Sequence, residues 1–180
     1  MRYLWEAMSR IGVSQALFAE LVRQASSGER DPEYNPELGS PSIEEEMYYF
    51  LDGLCDMEYI AYHDHKSLVE DVEDSLTRSA VQQGLPPVPE GLLEPHPMMT
   101  DPHSPDGRSE MLGGMAAVYI ATKVTDWRIF TIDDGSDSLY VGVVSHGNAG
   151  AFLNRISTYF LETGCTYCAH LLDMSEEAYV

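Results

Sequence analysis

His63, Asp64 and His65 follow a short apolar run and precede a charged helical stretch, and two imidazoles around a carboxylate are groups that bind a divalent metal or move protons. In an extended segment residues 63 and 65 share a face, the geometry two ligands need. No third ligand follows at a fixed spacing, so a polar loop is the competing reading. Cys165, Cys168 and His170 form a second cluster, C-x2-C-x-H, whose soft ligands suit zinc. Its fourth ligand would have to come from Cys55, His63, His65 or His146, all distant in sequence. On a strand residues 165 and 168 point to opposite faces, which favours buried, reduced thiols.

Two further stretches invite a chemical reading. Asp133, Asp134 and Asp137 supply oxygen ligands for a cation, yet the twelve-residue calcium loop with its closing glutamate is absent, and a solvated hairpin turn explains them. The junction SHGNAG, residues 145 to 150, leads into a helix N-terminus, where backbone amides hold anions. It matches neither the dinucleotide fingerprint nor the Walker loop. No G-x-S-x-G elbow and no H-E-x-x-H is present. No catalytic set and no cofactor are therefore expected.

The elements that would position these residues follow from periodicity. Leu4, Trp5, Met8 and Ile11 keep helical spacing, Gly12 interrupts, and Ser14 caps a second run through Leu17, Phe18, Leu21 and Val22. Residues 26 to 42 read as a linker. Ser42 with Glu45 makes a capping box for a helix burying Met47, Phe50, Leu51 and Leu54, and Ser67 with Glu70 makes another ahead of Leu68, Val72 and Leu76. Residues 57–63, 127–132, 139–145 and 165–172 read as strands, with Asp133 to Asp137 turning the hairpin and a helix over Phe152, Ile156 and Phe160 before the last one. Prolines fill the loop 85–107, and Met111 to Val118 resume helical spacing. This order is α+β: a ferredoxin-like split βαβ sheet with an extra crossover helix. Residues 1–56 form an N-terminal helical extension packing on the 57–180 domain as one unit.

Charge narrows the function. Thirty acids against ten bases give −20, a surface repelled by nucleic-acid phosphates, and no apolar run reaches the length of a spanning helix. The start has no secretory-signal pattern and three cysteines make no disulfide framework, so a cytoplasmic location is expected. Residues 29 to 74 hold fifteen acids and two bases. A concentrated negative field complements a basic protein partner, with Glu44, Glu45, Tyr48, Tyr49, Asp52, Glu70, Asp71 and Asp74 as the expected contact residues. Tyr34 and Tyr59 are further aromatic anchors in the same segment. A second copy of the chain is another candidate partner.

EYIAYHDHKSLVEDVEDSL (58–76) and FTIDDGSDSLYVGVVSHGNAGAFL (130–153) together resemble a group of small acidic bacterial proteins of unknown function. There a strand ends in an acidic aromatic motif before a charged helix, and a later hairpin turns on aspartates. This chain departs from the pattern in carrying His63 and His65 where a tryptophan would stand beside Asp64. In size and charge the chain also resembles bacterial immunity proteins, which implies an inhibitor of a basic toxin. The rival expectation is a metal-dependent enzyme or small-ligand module at His63, Asp64 and His65.

Overall fold

The computed structural model describes residues 1–30, 39–63, 69–87, 126–136 and 138–172. Helix α1 (Arg2–Met8) tightens into a 3-10 turn at Ser9–Ile11 and stops at Gly12, whose φ of 81° lies in the left-handed region. Ser14 then caps α2 (Gln15–Ser27), its hydroxyl accepting from Leu17 N at 3.2 Å. Helix α3 (Ile43–Asp56) opens on the expected capping box: Ser42 Oγ accepts from Glu45 N, and Glu45 Oε2 accepts from Ser42 N at 2.7 Å. The glutamates of its first turn meet the positive end of the helix dipole.

Strand β1 (Ile60–His63) is shorter than the expected 57–63, because Met57 still completes the end of α3 and Glu58 reverses the chain at a φ of 60°. Helix α4 (Val69–Gln82) follows, then β2 (Trp127–Asp133) and β3 (Leu139–Ser145) as a hairpin. Helix α5 (His146–Thr163) follows β3 directly, so the SHGNAG junction does lead into a helix. After Gly164, in the left-handed region, residues 165–167 are a connector, so β4 spans only Cys168–Leu171. The Pro-rich loop from residue 88 onward, the helical run at 111–118, and Ser67 of the second capping box lie outside the described residues.

All pairings are antiparallel and the sheet order is β1-β3-β2-β4. The α+β class agrees with the sequence reading. The last strand does not. In a ferredoxin-like sheet it returns beside β1, whereas here Asp133 faces Cys168 and Phe130 faces Leu171, on the far side of β2. The change has a geometric consequence. The connections β1 to β2 and β3 to β4 now move the same way across the sheet with opposite strand sense, and right-handed crossovers of that kind put their helices on opposite faces. Val72, Leu76 and Ala80 of α4 accordingly pack on Trp127, Ile129, Val141 and Val143, while Phe152 and Ile156 of α5 join α1, α2 and α3 over Phe130, Ile132, Tyr140 and Val144.

A sheet covered on both sides has no solvated face. β2 and β3 are buried at nearly every position, the pattern of strands sandwiched between helices. Alternation along β3 sends Val141 and Val143 to α4 and Tyr140 and Val144 to the other layer. Gly142 lies between them because a Cβ there would come within 2.7 Å of Phe130 Cζ and 2.9 Å of Ile60 Cγ2. Each fully buried large apolar side chain of this kind contributes roughly 1.5–3 kcal/mol. The N-terminal helices therefore close one face of the sheet.

Past the end of β1, no strand residue opposes Val143 on that side, and α4 supplies the missing partners. Ser79 Oγ accepts from Val143 N at 3.3 Å and donates to Tyr59 O at 2.6 Å, while Gln83 Nε2 donates to Val143 O at 2.8 Å. Buried backbone polar groups are thus satisfied by side chains.

Candidate functional site

Helix α3 turns Met47, Phe50, Leu51 and Leu54 into the core, and Gly53 lets Leu21 of α2 come close, since a Cβ there would lie 2.5 Å from Leu21 Cδ2. That orientation leaves Tyr48 on the outside, 46% exposed, with Tyr49 edge-on to it at 5.5 Å between ring centres. Strand β1 places Tyr62 beside it, 47% exposed and tilted against Tyr140 at 4.9 Å. Partial burial raises the Tyr48 phenol, and the charges of Asp52 and Asp134 and the Tyr62 ring act in the same direction. Tyr167 is buried behind them; its phenol is raised by burial first and then by Asp134, with Glu44 and Tyr48 adding to it. Four elements thus converge: α3 with Glu44, Tyr48 and Asp52, β1 with Tyr62, the hairpin with Asp134, and the approach to β4 with Tyr167.

The charges here are held in different ways. Arg30, after α2, donates to both Asp52, at 2.7 Å, and Asp56, anchoring the outer side of α3. Glu45 is spent on its cap. Glu44 and Glu46 make no ion pair among the described residues, and Asp134 accepts from Ser136 N at 2.8 Å through one oxygen. What the surface offers a visitor is a pair of half-exposed phenol rings rimmed by carboxylates. The Tyr48 phenol, raised by burial, stays protonated at neutral pH and presents an O–H donor.

The expected contact residues divide between two layers. Glu44, Glu45, Tyr48, Tyr49 and Asp52 lie on α3; Glu70, Asp71 and Asp74 lie on α4, across the sheet, and both helices flank β1. Asp71 and Asp74 are exposed, and the Glu70 side chain lies outside the described residues, as does Tyr34. Tyr59 is a core residue, 6% exposed, donating to Gly12 O at 3.3 Å. Sequence reading missed Tyr62 and gave Asp134 only as a turn residue or cation ligand. Seventy residues, 57 to 126, separate α3 from the hairpin, and the pairing of β1 with β3 brings them together. No protein-family model, no curated protein and no solved structure matches this chain.

The remaining clusters resolve locally. His63 is 5% exposed and turned under α4, with Nε2 2.7 Å from Ser75 Oγ. Ser75 Oγ also lies 2.8 Å from Val72 O, so the hydroxyl bridges the imidazole and the α4 backbone. Asp64 and His65 lie outside the described residues, among which no three ligand-type side chains gather. Cys165 is buried, and burial raises its thiol; Cys168 and His170 sit on one face of β4, both exposed. Burial first, then Asp52 and Asp56, push the Cys55 thiol up to about 12, so it is a protonated thiol at neutral pH. In the hairpin Asp133 accepts from Gly135 N at 2.8 Å and Ser136 from Ser138 N, local bonds that shape a turn; Asp137 lies outside the described residues. At the β3–α5 junction Ser145 makes no side-chain cap bond, and His146 N donates to Asp126 O. A groove of about 510 Å³ runs between α5 and β4, lined by Arg128, His146, Leu153, His170 and their neighbours.

Proposed function

We propose that this chain is a non-enzymatic binding protein, of the immunity or inhibitor kind, that engages a basic protein through the surface formed by Glu44, Tyr48, Asp52, Tyr62 and Asp134. The observation that carries the reading is the convergence of Tyr48 and Tyr62, from different elements and each nearly half exposed, inside a rim of carboxylates from α3 and the hairpin. Large amphipathic rings gain on burial against a partner at little cost in side-chain entropy, and such rings dominate interface energies. The surrounding negative field accelerates encounter with a basic surface and repels acidic competitors. Arg30 holds the scaffold of α3 in place without cancelling Glu44 or Asp134.

The test is affinity capture from the native cell lysate with wild type and with a Tyr48→Ala, Tyr62→Ala double variant, followed by measurement of the dissociation constant for the retained protein. A basic protein held by wild type, bound at least ~30-fold more weakly by the double variant and released as salt rises, is the expected result; each anchoring ring at a hot spot is worth about 2 kcal/mol or more. Capture of nothing basic, or equal binding by both forms, would overturn the assignment.

A further inference from the structure

The sheet has a second edge, and its character is the reverse of the first. Residues 138–172, spanning β3, α5 and β4, contain only two Lys, Arg, Asp or Glu side chains, Arg155 and Glu162. Their charges cancel, so the entire −20 resides on the rest of the chain. Within this neutral stretch β4 is an edge strand: among the described residues it pairs with β2 alone. Edge strands are ordinarily protected by lysine, proline or an inward charge, and Cys168–Leu171 has none of these. Cys168 and His170 are exposed on one face of β4, and Ala169 and Leu171 on the other are half buried, packed against the core and lining the groove beside α5.

Helix α5 contributes an apolar flank to the same side. Leu153 lines the groove, and Leu161, just over two turns further on, is 84% exposed, the most exposed large apolar side chain among the described residues. Glu162 beside it is the single acid of this helix, and Arg155 is turned away to Glu6 at 2.9 Å.

We infer that the β4 edge and the Leu153–Leu161 flank of α5 form a self-complementary contact through which two copies of this chain associate. A two-fold axis beside β4 would set the two β4 strands antiparallel, extending the sheet to eight strands and covering Leu161 with the partner's helix. Electrostatics selects a second copy as the occupant. Two molecules of net charge −20 repel overall, and β3, α5 and β4, whose own charges cancel, meet a second copy at lower cost than the acid-rich α3 and α4. A strongly basic partner, in contrast, gains nothing there. The association is therefore strengthened by added salt, which screens the repulsion between the acidic bodies.

Light scattering on the full chain over a range of micromolar concentrations tests this, at low and at raised salt. Wild type is expected to approach twice 20.1 kDa as concentration and salt increase. Leu161→Glu and His170→Glu, both at exposed positions that leave the core untouched, are expected to remain at 20.1 kDa with an unchanged circular dichroism spectrum, whereas Tyr48→Glu on α3 dimerises as wild type does. A wild-type mass of 20.1 kDa throughout overturns the inference. So does a dimer that survives both α5 and β4 substitutions, or one abolished by Tyr48→Glu. The opposite salt dependence keeps this result separate from capture of a basic partner.

Discussion

The two edges of the sheet are finished in opposite ways. At β1, α3 and α4 flank the strand on either face, acids crowd the surroundings, and Tyr48 and Tyr62 stand partly exposed. At β4, the strand is uncharged, the helix beside it leaves a groove, and Leu161 projects into solvent. An edge guarded by charge and helices resists indiscriminate strand pairing and leaves side chains to do the recognition. An edge without guards offers its backbone. The contrast arises from topology: placing β4 beside β2 moves α5 to one face and α4 to the other, so the acid-rich α4 and the neutral α5 never share a layer.

Because both edges rest on the same two central strands, damage beneath them should remove both at once. Phe130→Ala opens a cavity under Gly142 and Phe152, whose ring lies 4.3 Å away, and is expected to cost about 3–5 kcal/mol in urea denaturation followed by fluorescence. A single transition is expected; two separate ones would mean that the edges belong to independently folding units. Ser79→Ala acts on the β1 side alone, since it takes the buried partner from Val143 N–H and from the Tyr59 carbonyl, at about 1–3 kcal/mol. Dimer mass should be unaffected for the fraction that remains folded.

Alkaline pH separates the sides more gently. The folded thiol of Cys55, pushed up to about 12, lies above its ordinary value of 9.0, so its contribution is complete below pH 9 and is lost as pH rises from 9 towards 12, when the unfolded chain ionises and the folded one resists. Burial raises Tyr140 and Tyr167 in the same sense. Thermal unfolding midpoints should therefore be flat near neutrality and fall above pH 9, and Cys55→Ala should blunt the early part of that fall. A midpoint that rises in this range would contradict the burial of the thiol. The smallest effect belongs to the surface rings: Tyr48→Ala and Tyr62→Ala should each change stability by no more than about 1 kcal/mol, which calorimetry resolves. A much larger loss would make them structural.

What the sequence disclosed was mostly local. The Gly12 stop, the Ser14 cap, the Ser42–Glu45 box and the limits of β3 depend on neighbours a few residues apart, and each is found where residue types place it. The edge chosen by β4 was not legible, because Cys168–Leu171 is compatible with either β1 or β2 and only the packing of α5 decides. The interaction surface was half legible. Acids and tyrosines of α3 announce themselves by density, but Tyr62 reads as one more strand residue until β1 proves to lie at an edge, and Asp134 as a turn residue until the hairpin is paired beside α3. His63 shows the converse: a ligand-type residue by its neighbours, it is turned under α4 and engaged with Ser75.

The most direct test is the dissociation constant of the captured basic protein measured against two surface variants in parallel, Tyr48→Ala with Tyr62→Ala at the β1 edge and Leu161→Glu with His170→Glu at the β4 edge. The account predicts a loss of ~30-fold or more for the first pair and no change for the second. Equal binding by the tyrosine variant, or a loss confined to the β4 variant, would contradict it.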